Sequence, residues 1–236
     1  MFQTNPFTLI VLFVGLSLLP FVAMIATSYL KIVVVMSLIR NALGIQSIPP
    51  NMVINALAMI LTFYIMAPMA SESWQIIAER QTSKVESRQA ASGQAEGAAG
   101  SATLDLGLST SEFAEAAEPF RRFLSEHTSV RERAFFVNTA ETLWGKDGEP
   151  AEVDPESFYI LLPSFCVSEL TKAFQIGFLV YLPFIAIDII VSNILLAMGM
   201  MMVSPVTISL PFKLLLFVMV NGWTLLIQGL VRGYAI

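Results

Sequence analysis

The chain has 236 residues, of which 56% are hydrophobic and only 13% are charged, whereas a soluble globular domain is about half apolar and about a quarter charged. The net charge of −5 lacks the basic excess that nucleic-acid binding requires. One cysteine, Cys166, and one histidine, His127, exclude an intrachain disulfide and a Cys/His metal cluster.

The charges are strongly segregated along the chain. Of the 18 acidic residues, 16 lie between residues 72 and 156, together with 8 of the 13 basic residues. The rest of the chain consists of long apolar runs, which is the pattern of membrane-spanning helices. The sequence therefore predicts an all-α, polytopic helical membrane protein, built of apolar helical hairpins with a small polar helical subdomain.

Residues 1–70 are predicted to form a first apolar helical hairpin. Residues 7–30 contain no charge and are long enough to span a bilayer. A signal peptide would carry basic residues ahead of its apolar core, but the first charge here, Lys31, follows the run. We therefore interpret residues 7–30 as a retained spanning helix.

The second predicted span covers residues 52–70. Gly44 suits the end of a helix and Pro49-Pro50 suit the start of the next one, so the link is predicted to be a tight turn. The segment between the two spans contains Lys31 and Arg40 and no acidic residue. Short loops rich in basic residues stay in the cytoplasm, which predicts an extracytoplasmic N-terminus and acidic segment.

Residues 71–157 form the predicted polar extracytoplasmic segment. Within it, residues 81–103 are rich in Gln, Ser, Ala and Gly and nearly free of large apolar residues, which predicts a disordered insert. Two short amphipathic helices are expected to follow. Ser111 can cap the first, and the second covers residues 131–144 and ends at Gly145.

Residues 158–236 are predicted to be C-terminal apolar helices with a methionine-rich loop. Between residues 173 and 212 the one charge is Asp188, and residues 214–231 form a last apolar run. Four hydrophobic helices result, the third being either continuous or broken. The expected breaks are at Pro183, Gly199, Pro205 and Pro211.

Catalytic motifs such as GxSxG, HExxH, Walker A and CxxC are absent from the sequence, so we expect no enzymatic activity and no cofactor. Glu169 and Lys172 are three residues apart and can pair on one helix face. Asp188 lies in the middle of an apolar run, where an ionisable group needs a partner or a wet path. It is a hydrogen-bonded interface residue, a proton site or a member of an inter-subunit ion pair.

Four methionines fall in five positions: Met198, Met200, Met201 and Met202 follow or flank Gly199. Methionine is a common filler of apolar space, so a lipid-facing helix is one interpretation. The other uses the same flexibility, because thioether chains around an axis can plug a pore and still deform around a passing chain.

The C-terminal half resembles the FliP/SctR family of export-gate subunits of bacterial type III secretion. The resemblance rests on LLPSFCVSELTKAFQIGFLVYLPFIAIDIIVSNILLAMGMMMVSP (residues 161–205) and ISLPFKLLLFVMVNGWTLL (208–226). SLIRNALGIQSIPPN (37–51) and LTFYIMAP (61–68) extend it to the first half. Two features are more similar to the injectisome branch than to the flagellar one. No signal peptide is evident, and Asn221 precedes Gly222-Trp223.

The resemblance implies a pentamer that assembles with the S and T subunits in the bacterial inner membrane, with a large periplasmic portion. This assembly would be the gate through which unfolded secreted proteins pass. By the same resemblance, Met200, Met201 and Met202 match a methionine gasket, and Glu169 matches a carboxylate of inter-subunit charge contacts. Family assemblies also hold apolar helices largely outside the bilayer.

Two other functions compete with the export gate. A small-solute or ion transporter would use Asp188 as its coupling carboxylate, although the internal repeat of many such folds is missing. An assembly scaffold would have no conduit of its own. A ring-like homo-oligomer favours the gate, and a functional monomer or dimer favours the transporter.

Overall fold

The computed structural model describes residues 6–45, 48–91, 114–145, 151–200 and 202–234. These residues contain helices and no strands, which confirms the predicted all-α class. In chain order the helices are α1 (Pro6–Ile25), α2 (Tyr29–Ala42), α3 (Asn51–Ala91), α4 (Glu118–His127), α5 (Val130–Trp144), α6 (Phe158–Ala197), α7 (Pro205–Met219) and α8 (Gly222–Arg232).

The first apolar run is not one helix. Helix α1 ends at Ile25, and α2 leaves it at an angle of 57°, so the predicted span over residues 7–30 is wrong at its C-terminal end. The Thr27 hydroxyl donates to the Ala23 carbonyl (2.7 Å) and accepts from the Tyr29 amide (3.4 Å). A threonine side chain that bonds nearby backbone competes with helical hydrogen bonds, so Thr27 joins the end of α1 to the start of α2.

The predicted link over residues 31–51 is also mostly helical, because α2 runs to Ala42. Gly44 follows with φ of +77°, as predicted for the turn. Lys31 is therefore a buried helical residue (4% exposed) and not a loop charge. Of the two basic residues that predicted a cytoplasmic link, only Arg40 still supports that orientation.

Helix α3 is 41 residues long and continues 21 residues past the predicted end at Ala70. Residues 81–91 are helical, so the predicted disorder is wrong there. Ala, Gln, Glu, Lys and Arg are good helix formers, and extending an existing helix avoids the cost of nucleation. The rest of the predicted insert, residues 92–103, and the predicted cap Ser111 lie outside the described residues.

Helix α6 is continuous for 40 residues and passes through Pro163 and Pro183, so the break predicted at Pro183 is wrong. A proline removes one helical hydrogen bond, and apolar packing preserves the others. The last apolar run, in contrast, bends by 58° between α7 and α8. There Asn221 adopts a left-handed conformation with φ of 52°. Pro211 lies inside α7, so the break predicted at Pro211 is also wrong.

Among the described residues, two helical segments, Asn51–Arg80 and Phe158–Ala197, are long and apolar enough to cross a membrane. The number rises to four if each bent pair, α1 with α2 and α7 with α8, is counted as one span. This confirms the predicted apolar helical architecture. Large side chains on these helices remain exposed, among them Phe63 at 72% and Phe178 at 62%, which suits lipid or a partner chain.

Helix α2 lies at the centre of the larger core. Its residues Ile32, Val35, Met36 and Ile39 are completely buried at the three- and four-residue spacing of one helix face, and they pack with α3, α6 and α8. A second core joins α3, α4 and α6 through Met66, Phe123, Leu124, Leu161 and Phe165. Tyr234, after α8, packs against both cores.

Candidate functional site

The most deeply buried charge is the Glu169 carboxylate of α6, which is 0% exposed. Lys31 Nζ lies 3.0 Å from its Oε2, and Lys172 Nζ lies 3.1 Å from its Oε1. The Tyr234 hydroxyl donates a hydrogen bond to Oε2. Both carboxylate oxygens are therefore satisfied by groups of the same chain, which is the condition for a stable buried charge.

These partners come from separate segments. Lys172 is one turn along α6 from Glu169, so their predicted pairing is observed. Lys31 reaches the carboxylate because the bend before Tyr29 turns α2 against α6. Tyr234 arrives from the C-terminal end, and its ring centroid is 3.5 Å from Lys31 Nζ, close enough for a cation–π interaction. We name Lys31, His127, Glu169, Lys172 and Tyr234 the Glu169 hub.

The hub also holds the end of α4. Lys172 Nζ donates to the His127 carbonyl at 2.6 Å, one of the carbonyls that a helix C-terminus leaves without an internal partner. Burial, followed by the Glu169 carboxylate, raises the pKa of the Tyr234 phenol, so this hydroxyl remains a donor at neutral pH.

Sequence reasoning missed Lys31, His127 and Tyr234 as members of the hub. The signal for Lys31 was its position at the end of an apolar run, where an isolated ammonium requires a counter-charge. His127 and Tyr234 gave no such signal, because their partners are distant in sequence.

Asp188 forms a second cluster between α6 and α7. Its Oδ2 is 2.6 Å from Lys213 Nζ, and its Oδ1 accepts a hydrogen bond from the Ser209 hydroxyl at 2.5 Å. Lys213, 3% exposed, also donates to the Ala42 carbonyl at 3.2 Å. The observed contacts of Asp188 are therefore within one chain, and they tie α7 to α6 and to the end of α2.

The methionine-rich loop begins where α6 ends. Gly199 has φ of +73°, its amide donates to the Leu196 carbonyl (3.0 Å), and the Met200 amide donates to the Leu195 carbonyl (2.9 Å). This is a Schellman motif, which needs the left-handed conformation that glycine adopts without strain. Pro205 then starts α7 at a position that tolerates proline.

The described methionines of this loop are exposed. Met198 is 65% exposed, Met200 is 44% exposed and Met202 is fully exposed; Met201 lies outside the described residues. The loop thus runs between two helix ends, and its described methionine side chains are exposed and able to contact another molecule. Among the described residues, no three His, Cys, Asp or Glu side chains are grouped as metal ligands.

Comparison with known proteins places these features in one family. The model of the FliP family matches residues 12–230, which include the Glu169 hub except Tyr234, the Asp188 cluster and the methionine loop. The chain belongs to the FliP family. The FliP-family resemblance that the motifs indicated is confirmed.

Alignments with individual relatives cover nearly all of this chain. It is 48% identical over 228 residues to Yop proteins translocation protein R of Yersinia pestis, covering 96% of this chain and 95% of the relative. It is 44% identical over 227 residues to the hypersensitivity response secretion protein HrcR of Ralstonia nicotianae, covering 96% of each. It is 42% identical over 235 residues to the virulence protein YscR of Salmonella typhimurium, covering 98% of each.

These relatives are type III secretion export components, so the chain is one as well, and it belongs to the injectisome branch as predicted. Members of the FliP family are structural components of a secretion apparatus.

Proposed function

We propose that this chain is a core subunit of the type III secretion export gate and that its methionine loop closes the channel through which unfolded proteins leave the cytoplasm. The observation that carries the proposal is the exposure of Met198, Met200 and Met202 on a loop that follows a hydrogen-bonded helix end. Exposed thioethers on a fixed support suit a seal that yields locally, because methionine is unbranched and adaptable.

One loop cannot enclose a pore, so the proposed seal requires several copies around an axis. A ring of apolar side chains excludes ions by dewetting. We therefore propose a homo-oligomer, a pentamer by family resemblance, assembled with the S and T subunits and handling secreted protein substrates. The large exposed apolar side chains of α3 and α6 provide surfaces for such neighbours.

The proposed location is the bacterial inner membrane, crossed more than once, with residues 71–157 in the periplasm. Two to four apolar helices support insertion. Arg40, in the last turn of α2, supports a cytoplasmic position for the turn between α2 and α3. Glu169, Lys172 and Asp188 are proposed to stabilise the subunit that holds the loop.

The transporter alternative has less support. A coupling carboxylate has to bind and release its ion during transport, and Asp188 is already matched by Lys213 at 2.6 Å and by Ser209. These contacts are sufficient to explain its burial in structural terms.

The test replaces Met200, Met201 and Met202 by alanine in the complete export complex. Shortened side chains should leave a wet path at rest, so the membrane should leak small ions or solutes, while the oligomer forms in normal yield. Matched controls are the same three residues changed to leucine, which keeps apolar bulk, and alanine at Met52 and Met219, which are exposed elsewhere on the chain. The controls should not leak.

Conductance or solute leak is measured in cells that express equal amounts of the complex. Normal oligomers without added leak would remove the methionine loop from the proposed channel. A leak of the same size in the Met52→Ala and Met219→Ala controls would show that loss of any exposed methionine disturbs the membrane, and would also contradict the proposal.

A further inference from the structure

Among the residues that the structure describes, His127 is the one buried titratable group that neither an ion pair nor the proposed gate explains. It is 8% exposed at the end of α4. Its ring packs against two aromatic rings, with centroid distances of 4.5 Å to Phe123 and 5.1 Å to Tyr234, and these two rings also contact each other at 6.0 Å.

The contacts of the imidazole define its protonation state. Its Nδ1 lies 2.9 Å from the Phe123 carbonyl oxygen, and a carbonyl can only accept, so Nδ1 carries a proton. The other nitrogen, Nε2, is buried and has no hydrogen-bond partner among the described residues. The neutral imidazole therefore fits this position, whereas a second proton on Nε2 would have no acceptor there.

The surrounding charges also disfavour an imidazolium. Helix α2 contributes Lys31, helix α6 contributes Glu169 and Lys172, and the C-terminal segment contributes Tyr234. The two ammonium groups already exceed the single carboxylate, whose oxygens are both engaged. A third positive charge would enter a cluster that has no further counter-charge for it.

We propose that His127 is the proton-sensitive element of a latch, and that acid releases α4 and the C-terminal Tyr234 segment from α6. The latch consists of three contacts that converge at this point. They are the Lys172 bond to the His127 carbonyl, the packing of Tyr234 on the His127 ring, and the Tyr234 hydrogen bond to Glu169.

The direction of the pH effect follows from linkage. Burial is the largest influence and lowers the pKa of His127; the Phe123 carbonyl and Glu169 oppose the shift, and Lys172 and Lys31 add to it. The released imidazole then binds a proton more tightly than the latched one. The latch is at full strength above the ordinary histidine pKa of about 6.5 and weakens as the pH falls through and below it.

The latch joins the helices of the polar segment to the helical core. Helix α4 and the following Ser129, whose amide donates to the Ser168 hydroxyl of α6 (2.9 Å), would separate from α6, while the Glu169 pairs with Lys31 and Lys172 could persist. Acid would thus change the exposed surface of residues 114–145 without unfolding the chain.

The first experiment exploits the single histidine of the chain. The full-length protein is purified with a histidine-free affinity tag, and isotope-labelled histidine reports the titration of one imidazole by magnetic resonance. The expected midpoint lies below the ordinary value of about 6.5. A midpoint at or above that value would overturn the proposal.

The second experiment measures hydrogen exchange of α4 and of residues 226–234, corrected for the intrinsic pH dependence of exchange. Between about pH 7.5 and about pH 5, the opening equilibrium of the wild type should rise about tenfold, with a ceiling of about 30-fold set by one imidazole of ordinary pKa. An unchanged wild type would contradict the latch.

Three variants separate His127 from the other groups of the hub. His127→Phe keeps an aromatic ring and His127→Gln keeps a polar side chain, and neither titrates, so whichever variant folds should lose the pH response. Tyr234→Phe keeps the imidazole and should open more at every pH while retaining the response. A pH response that survives in the folded His127 variants would assign the titration to another group and overturn the proposal.

Discussion

The Glu169 hub and the methionine loop are opposite kinds of site within one chain. The hub collects Lys31, His127, Glu169, Lys172 and Tyr234 from four segments, and its central carboxylate is fully buried. The methionine loop is continuous in sequence, and Met202 is fully exposed. The contacts of the hub lie within one chain, while the function proposed for the loop requires several copies around an axis. Mutations should therefore affect folding at the hub and sealing at the loop.

The largest effect is expected at Glu169. Glu169→Ala leaves the buried Lys31 ammonium without a counter-charge, which should cost about 3–5 kcal/mol of unfolding free energy. Glu169→Gln retains shape and one acceptor oxygen, so its loss should be smaller. Denaturant unfolding of the full-length protein and the yield of oligomer measure both variants.

The matched control for this change is Glu118→Ala. Glu118 is 56% exposed and pairs with Arg121 at 3.3 Å, and exposed pairs contribute about 0–1 kcal/mol. Equal stability and oligomer yield for Glu169→Ala, Glu169→Gln and the control would contradict the importance of the buried carboxylate.

The Asp188 cluster should show an intermediate and asymmetric effect. Asp188→Asn leaves the buried Lys213 ammonium without its carboxylate and should cost about 2–3 kcal/mol. Lys213→Met leaves an aspartate that is partly open to solvent (31% exposed side chain) and still bonded to Ser209, so about 1–2 kcal/mol is expected. Unfolding measurements that rank the two variants in the reverse order would show that Asp188, and not Lys213, bears the desolvation cost.

Substitutions at two glycines compare the cost of a steric clash with the cost of backbone strain. A Cβ at Gly177 would lie 2.3 Å from Leu38 Cδ1 and 3.2 Å from Leu38 Cβ, so Gly177→Ala should destabilise the α2–α6 contact by about 1–2 kcal/mol. A Cβ at Gly199 meets nothing within 4 Å, but φ is +73°, so Gly199→Ala should cost about 1 kcal/mol through backbone strain.

The second-site change Leu38→Ala distinguishes these causes. It should recover part of the Gly177→Ala loss in a double-mutant comparison and leave the Gly199→Ala loss unchanged. Rescue of both glycine variants, or of neither, would refute the assignment of one to packing and the other to the backbone.

The smallest effect on stability is expected at the methionine loop. Alanine at Met198, Met200 and Met202 removes side chains that are largely exposed, and changes at such positions alter unfolding by about 0.5 kcal/mol or less each. Thermal unfolding of the isolated subunit checks this. A large loss would mean that the loop packs within its own chain, contrary to the division between hub and loop.

Features encoded by neighbouring residues were predicted well. The apolar runs, the turn at Gly44, the helix end at Gly199 and the start of α7 at Pro205 follow from local pattern and backbone chemistry. The pairing of Glu169 with Lys172 belongs with them, because it needs only helical periodicity.

Features that depend on context were predicted poorly. Pro183 and Pro211 indicated breaks, yet α6 and α7 continue through them, and the polar residues 81–91 indicated disorder, yet they extend α3. A prediction from composition treats each residue separately. Once a helix has formed, however, the free-energy cost of adding or retaining one more turn is lower than the cost of starting a new helix.

By itself, the sequence determined the family, the helical class, the apolar segments and the position of the methionine run, since each is a property of residues close together along the chain. Only the tertiary structure decided that Lys31 and Tyr234 meet Glu169, that Lys213 pairs with Asp188, and that His127 packs against the rings of Phe123 and Tyr234. The physical reason is that a buried charge requires a partner but does not specify which one. The choice depends on how the bend at Thr27 and the fold of the C-terminal end bring distant segments to the same helix.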